Sequence, residues 1–441
     1  MQARNRTSAD GDGMEKEKEV KMKYNTITEV FDLGPFIIKI ILELDEPLTE
    51  CQIDPETFEV YVVRKDKITG DIIKTYKYFG SEEKITSEGT RKVVSAYVSD
   101  KEGQQSKRDA FITLEMEVDP RIPIGSTIAF NGSFNVQVDS EYKITQQKPI
   151  VNENRRLEHM VFDELHQQKR ILIDEFTTGI STYHDIQLTY AAYQPKPNNG
   201  KRPLLIWLHG GGEGGTDPII AVGGNKVVNL ISEEIQKFFD GCYVLGPQAP
   251  TLWMDNGSGK LNTDGNSMYV EALKNLIDEY IASHDDIDQD RIYIGGCSNG
   301  GFMTVKMIIE YPQMFAAAYP VCEFFLEKNI SDDDMAKIKD IPIWFTHAAN
   351  DPIVNMSENS EALYHRLIKA GAANVHFTCF DKVVDRTGKY YNPDGTPYEY
   401  NGHFSWIPAL NNECMIDYNK KPVVEAGREV TLFEWIAMQK R

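Results

Sequence analysis

No part of the chain is apolar for the roughly 18 residues that a membrane-crossing helix needs. The longest candidate, Phe36-Ile37-Ile38-Lys39-Ile40-Ile41-Leu42, is short, carries a lysine and reads as a strand. Basic residues are scarce as well: 47 Lys plus Arg stand against 67 Asp plus Glu, a formal charge of −20. A field of that sign repels phosphate, so nucleic acid and anionic membranes are disfavoured as partners while neutral small molecules stay open. The six cysteines (Cys51, Cys242, Cys297, Cys322, Cys379, Cys414) form no C-x-x-C pair and no metal-ligand spacing. They read as reduced core residues, with no metal and no cofactor indicated. The first twenty residues are polar and charged and lack an apolar h-region. No signal peptide is expected, which makes a cytoplasmic location the default and secretion after processing the alternative.

What is present is ordinary globular composition, with 41% hydrophobic and 26% charged residues over 441 positions. That length suits two or three domains. Residues 1–22 read as a charged, flexible tail and residues 23–150 as an all-β unit. The strands expected there are 36–44, 58–63, 72–79, 92–98, 111–118, 126–130 and 134–138. About seven short strands predict an immunoglobulin-like β-sandwich, although Trp is absent and Cys51 stands alone, so the Cys-Trp-Cys core of antibody domains is lacking. Residues 151–168 are polar and read as a linker. From 169 to 441 buried strands (204–208, 243–246, 291–294, 343–346, 376–380) alternate with helical windows, which predicts a mainly parallel sheet with helices on both faces. No repeat of 20 to 50 residues interrupts that pattern.

The strand Arg291-Ile292-Tyr293-Ile294 runs into Gly295-Gly296-Cys297-Ser298-Asn299-Gly300-Gly301, and a helical window follows. Gly296-x-Ser298-x-Gly300 in a strand-turn-helix setting is a nucleophile elbow, with the serine hydroxyl exposed at the sheet edge. The amide of Asn299, at the start of the helix, faces any charge that develops there. About ninety residues upstream, strand 204–208 ends in His209-Gly210-Gly211-Gly212-Glu213-Gly214-Gly215, whose glycines let backbone N–H groups approach an oxyanion. Gly211 is the preferred second donor, with Gly210 or Gly212 as substitutes. The same letters match a dinucleotide fingerprint, with Glu233 and Glu234 about twenty residues on, but the leading His-Gly-Gly-Gly favours the oxyanion reading. His209 itself reads as a loop brace.

A nucleophilic serine needs a base, and the base needs a carboxylate. Asp351 lies just beyond strand 343–346, with Asp381 and Asp385 as fallbacks. Of the histidines that follow it, His365 falls in a helical window and His376 in a strand, which leaves His403 in the loop 400–406. Trp253, Tyr400 and Phe404 are candidate pocket walls. The tyrosine-rich stretch 388–400 reads as a hairpin about a Pro-Asp-Gly turn, and packing explains its rings as well as a pocket does. Residues 255–259 and 262–265 hint at a calcium loop but lack EF-hand spacing, so solvated turns are the simpler explanation. Cys297 has no base of its own and reads as a packed thiol, and the charge runs 15–23 and 331–334 as solvated faces.

His209-Gly210-Gly211-Gly212-Glu213-Gly214-Gly215, Gly296-Cys297-Ser298-Asn299-Gly300-Gly301, His347-x-x-x-Asp351-Pro352 and Gly402-His403-Phe404-Ser405-Trp406 together resemble bacterial carboxylesterases with an N-terminal immunoglobulin-like domain. The catalytic part of that family is similar to polyhydroxybutyrate depolymerase-like and prolyl-oligopeptidase-like α/β-hydrolases. Asp32-Leu33-Gly34-Pro35 is similar to the opening of the family's first domain, so the likeness runs from about residue 25 to 441. It implies an α/β-hydrolase fold, a serine esterase acting on short-chain acyl esters without a cofactor, and a first domain that shapes the site or pairs subunits into a homo-oligomer. Gly211-Gly212 departs from relatives that carry Ala there. The alternatives are a feruloyl or acetyl-xylan esterase, a prolyl-oligopeptidase-like peptidase, and a polysaccharide-binding protein with an inactive hydrolase half.

Overall fold

A computed structural model describes residues 22–73, 75–76, 83–197 and 200–441. The tail expected at 1–22 lies outside the described residues up to 21, and Met22 already belongs to a strand. Residues 74 and 77–79 of the strand expected at 72–79 also lie outside, and its described part includes the two-residue strand Thr75–Tyr76.

The first half is a nine-stranded sheet. Its main path runs Glu88–Arg91, Phe58–Asp66, Asn135–Gln146, Val161–Arg170, Met22–Phe31, Gly34–Thr49, Arg108–Met116, Val93–Ser99. The sheet folds back on itself until Val93–Ser99 lies near Phe58–Asp66. Enclosed between its halves are Ile40 with Leu42, Val60 with Val62, and Ile112 with Leu114, all wholly buried. The spacing of two within each pair is what one buried face of a strand requires.

The linker expected at 151–168 is corrected by this sheet. It holds a hairpin, Ile150–Asn152 with Arg155–Leu157, and then most of the ten-residue strand Val161–Arg170. That strand pairs parallel with Met22–Phe31 and antiparallel with Asn135–Gln146. Phe162 is its one buried residue and most of the others are exposed. Its backbone ladder supplies the hydrogen bonds without apolar side chains, so composition reads it as a linker.

The second half is an eight-stranded sheet in the order Thr177–Tyr183, Ile186–Tyr193, Tyr243–Gln248, Arg202–Leu208, Ile287–Cys297, Ala317–Val321, Ile343–Ala348, Val375–Phe380. The first two strands are antiparallel additions, and parallel pairing begins between Tyr243–Gln248 and Arg202–Leu208. All seven residues of Arg202–Leu208 are buried. Leu204, Ile206 and Leu208 enter the core on one face, with helices Val270–Ala282 and Asn299–Glu310, while Leu205 and Trp207 enter the other, with Leu432–Met438. A strand covered on both faces has no polar side, which is why it reads as an unbroken apolar run.

The two halves meet at several polar contacts. Asp32, in the turn between Met22–Phe31 and Gly34–Thr49, accepts from Lys226 Nζ at 2.7 Å and Asn411 Nδ2 at 3.0 Å. Gln137 Nε2 donates to Asp217 at 2.5 Å.

Candidate active site

Strand Ile287–Cys297 ends at Ser298, and helix Asn299–Glu310 starts at the next residue. Ser298 has φ 53 and ψ −113, a conformation that costs a non-glycine residue on the order of 1–3 kcal/mol. The bend is held by Ser298 N–H donating to Val321 O at 2.9 Å and Ser298 O accepting from Phe302 N at 2.9 Å. Its glycines are obligatory. A Cβ on Gly300 would lie 2.0 Å from Leu208 O, and one on Gly296 would lie 2.5 Å from the same oxygen. The turn therefore sits directly against the end of strand Arg202–Leu208, where the glycine-rich loop begins.

That loop is braced from several sides. His209 is fully buried: its Nε2 accepts from Ala249 N at 3.0 Å, so the proton is on Nδ1, which donates to Gly210 O at 2.7 Å. Burial pushes its pKa down to about 4, and it stays neutral as a brace. Glu213 closes the 3-10 turn Gly211–Glu213 with its side chain packed between Gly210 and Gly224. Burial pushes its carboxyl up to about 7, against the lowering effect of hydrogen bonds from Asn135 and Asn225. The Asn135 bond, Nδ2 to Oε1 at 2.9 Å, comes from the first domain. Phe134 arrives with it, and a Cβ on Gly214 would sit 2.6 Å from that ring. Among the described residues no backbone hydrogen bond is donated by the amides of Gly211, Gly212 or Asn299. The dinucleotide reading does not suit this shape, because the following helix, Pro218–Gly223, is short and its N-terminus is capped by the carboxylate of Asp217.

Asp351 follows strand Ile343–Ala348, and His403 sits in the 3-10 turn Gly402–Phe404. The turns touch, since a Cβ on Gly402 would overlap Asn350 O at 2.6 Å. His403 Nδ1 donates to Asp351 Oδ2 at 2.7 Å. Asp351 Oδ1 accepts from the amides of Ile353 at 2.8 Å and Val354 at 3.0 Å, and Oδ2 also meets His347 Nε2 at 3.0 Å. Burial would raise this carboxyl, but the hydrogen bonds from His347 and His403 outweigh it and hold Asp351 well below the usual carboxylate range. Among the described residues no hydrogen bond joins His403 to Ser298 Oγ. Such contacts often close only when substrate binds.

Of the expected pocket walls, Trp253 and Tyr400 are buried. Trp253 is wholly buried, with its ring 5.1 Å from His209 and 6.0 Å from Tyr269, and its backbone N–H donates to Asn299 Oδ1 at 2.6 Å. It supports the elbow from beneath, and its neighbour Leu252 is the side chain that approaches Gly211. Tyr400 packs into the core beside Tyr398 at 5.1 Å. Phe404 is partly buried and leans on Trp406 at 4.7 Å. The hairpin at 388–400 does form, with Gly395 N bonded to Asn392 O at 2.9 Å, and Asp385 caps it by accepting from Lys389 N at 3.3 Å. Asp385 is thus a structural residue. His376 is as well, bonded to Asp417 at 2.9 Å. Burial holds the Cys297 thiol well above its usual range. In the stretch 255–259, expected as a solvated turn, Asp255 Oδ1 accepts from the amides of Gly257 and Gly259. Asn135, Glu213 and His347 were not picked out as site residues, because their partners lie on other elements.

Known proteins match both halves. Residues 23–157 fit the family model of the esterase Ig-like N-terminal domain, and residues 252–388 that of phospholipase/carboxylesterase, a span that includes Ser298 and Asp351. The acyl-protein thioesterase 1 of Debaryomyces hansenii is 28% identical over 207 residues, 42% of this chain and 84% of that protein. The acetylxylan esterase A of Emericella nidulans is 34% identical over 102 residues, 21% of this chain and 32% of that one. A thermostable esterase of known crystal structure superposes with a TM-score of 0.72 at 25% identity, covering 95% of this chain and 99% of that one. The chain thus carries an esterase immunoglobulin-like domain ahead of an α/β-hydrolase domain of the phospholipase/carboxylesterase type and is a serine hydrolase.

Proposed function

We propose that the chain hydrolyses short-chain acyl esters by two-step acyl transfer, with Ser298 as nucleophile, His403 as base and Asp351 as its acid. The observation that carries this reading is the 2.7 Å bond from His403 to Asp351, at the same sheet end where Ser298 is held at φ 53. His403 Nε2 removes the Ser298 proton as the oxygen attacks the ester carbonyl. The oxyanion is held by the amides of Gly211 and Asn299, neither of which has a backbone acceptor of its own. His403 then protonates the leaving alcohol. A water, deprotonated by His403, attacks the acyl enzyme and frees Ser298. Asp351 stays ionised throughout and keeps the His403 proton on Nδ1.

The test is hydrolysis of p-nitrophenyl esters from acetate to palmitate, beside an acyl thioester, acetylated xylan and an aminoacyl p-nitroanilide. Fastest turnover on the acetate and butyrate esters supports the proposal. The thioester is included because of the similarity to acyl-protein thioesterase 1, and the xylan because of the acetylxylan esterase. Preference for either moves the substrate class while keeping the chemistry, and preference for the anilide overturns the esterase reading.

A further inference from the structure

Behind Asp351 runs a buried line of polar side chains that the acyl-transfer steps do not use. His347, near the end of strand Ile343–Ala348, has no exposed surface. Its Nε2 lies 3.0 Å from Asp351 Oδ2, the oxygen that also accepts from His403, and its Nδ1 lies 2.9 Å from Ser360 Oγ. Ser360 opens helix Ser360–Lys369 and is itself fully buried. It lies near Glu323, whose Oε2 accepts from Phe325 N at 2.6 Å and whose Oε1 is buried with no hydrogen-bond partner.

The protons on this line have only one consistent order. An ionised Asp351 accepts and cannot donate, and its Oδ1 is already taken by two amides. Both imidazoles must therefore give Oδ2 an N–H. A neutral His347 has a single N–H, so its Nδ1 accepts and Ser360 donates to it. The Ser360 proton is then committed to His347 and is not available to Glu323. Burial lifts the Glu323 pKa to about 8, which keeps that carboxyl protonated at neutral pH.

We propose that His347 is a positioning residue: its Nε2–H fixes Asp351 Oδ2 and limits the charge that Asp351 presents to His403, while Ser360 holds the His347 tautomer. This rests on the reading of Ser298, His403 and Asp351 as the reacting set. With the donor removed, the whole charge of Asp351 falls on His403, and the imidazolium persists to higher pH. The acid limb of kcat/KM then moves upward. A purely structural role would lower the active fraction without moving that limb. The other titratable groups around the pair are Cys322 and Glu323, beyond strand Ala317–Val321, and Glu399, which accepts from Asn350 at 3.3 Å. The Cys322 thiol is pushed well above its usual range by burial, and Glu323 ionises only near the alkaline limb, so the acid limb is the one to read.

The experiment records kcat and KM for p-nitrophenyl butyrate against pH in wild type, His347→Phe, His347→Gln and Ser360→Ala, with active sites counted by acylation. His347→Phe should raise the acid-limb midpoint by about one pH unit and lower kcat about tenfold, with KM little changed. His347→Gln, whose amide nitrogen replaces the Nε2 donor, should return the limb towards wild type, and Ser360→Ala should fall between. An unmoved limb in His347→Phe overturns the proposal, as does an equal shift in His347→Gln. If His347→Phe does not fold, Ser360→Ala decides: a raised limb with KM unchanged supports the role, and an unmoved limb refutes it. Turnover that survives in Ser298→Ala would instead remove the reading on which this inference stands.

Discussion

Asn135, on the first domain, donates its side-chain amide at 2.9 Å to the buried carboxyl of Glu213, at the end of the glycine-rich turn on the second. The immunoglobulin-like domain thus holds the loop that carries the candidate oxyanion amides. Asn135→Ala should lower kcat about tenfold, since a buried carboxyl that loses a donor costs about 1–3 kcal/mol and loosens the loop. Asn135→Asp should be worse, because it sets a second carboxyl against the first. Steady-state kinetics on a p-nitrophenyl ester checks the order, and equal activity in all three proteins would show that the contact is idle.

Gly300→Ala places a methyl group 2.0 Å from Leu208 O, backbone that cannot swing aside. The expected loss of stability is about 3 kcal/mol or more, larger than overpacking usually costs, and activity should go with it. A urea midpoint within error of wild type would show that the elbow does not press on strand Arg202–Leu208.

Burial raises Glu213 to about 7, Glu323 to about 8 and Glu413 to about 7. A carboxyl whose folded pKa exceeds its unfolded value adds stability that is complete below about pH 4.3 and is lost as pH rises through the folded value. Asp351 is lowered, so its contribution is present above about pH 4 and is lost only on acidification below that. Between pH 6 and 8.5 the raised carboxyls decide the sign, and stability should fall. Glu323→Gln should flatten that fall. Urea midpoints at the two pH values check it, and a wild-type midpoint that rises towards pH 8.5 would contradict it.

Asp32 ties the domains together through Lys226 and Asn411. Asp32→Ala strands the partly buried Lys226, at about 2 kcal/mol once its residual exposure is discounted. Calorimetry should show the first domain unfolding earlier and separately. One undivided transition at the wild-type temperature would exclude a coupling role.

Much of the site was legible because its signals are local. The Gly296–Gly300 spacing reflects a turn pressed against backbone, and Asp351 and His403 were placed by the strand ends they follow. What stayed hidden depends on distant partners. Asn135 and Glu213 are 78 residues apart, and no periodicity links them. Trp253 follows a strand in an irregular loop whether its ring faces a pocket or, as found, His209 and Tyr269. Val161–Arg170 carries too few apolar residues to look like a strand, yet it holds a central place in its sheet.

Trapping the intermediate tests the central claim most directly. Wild type is quenched in acid during p-nitrophenyl butyrate turnover, and its peptides are weighed beside those of Ser298→Ala. A butyryl group on the peptide containing Ser298, absent in the variant, with kcat down by about 10⁴ to 10⁶ and the fold intact, is the expected result. A butyryl group on another residue, or turnover undiminished in Ser298→Ala, would contradict it.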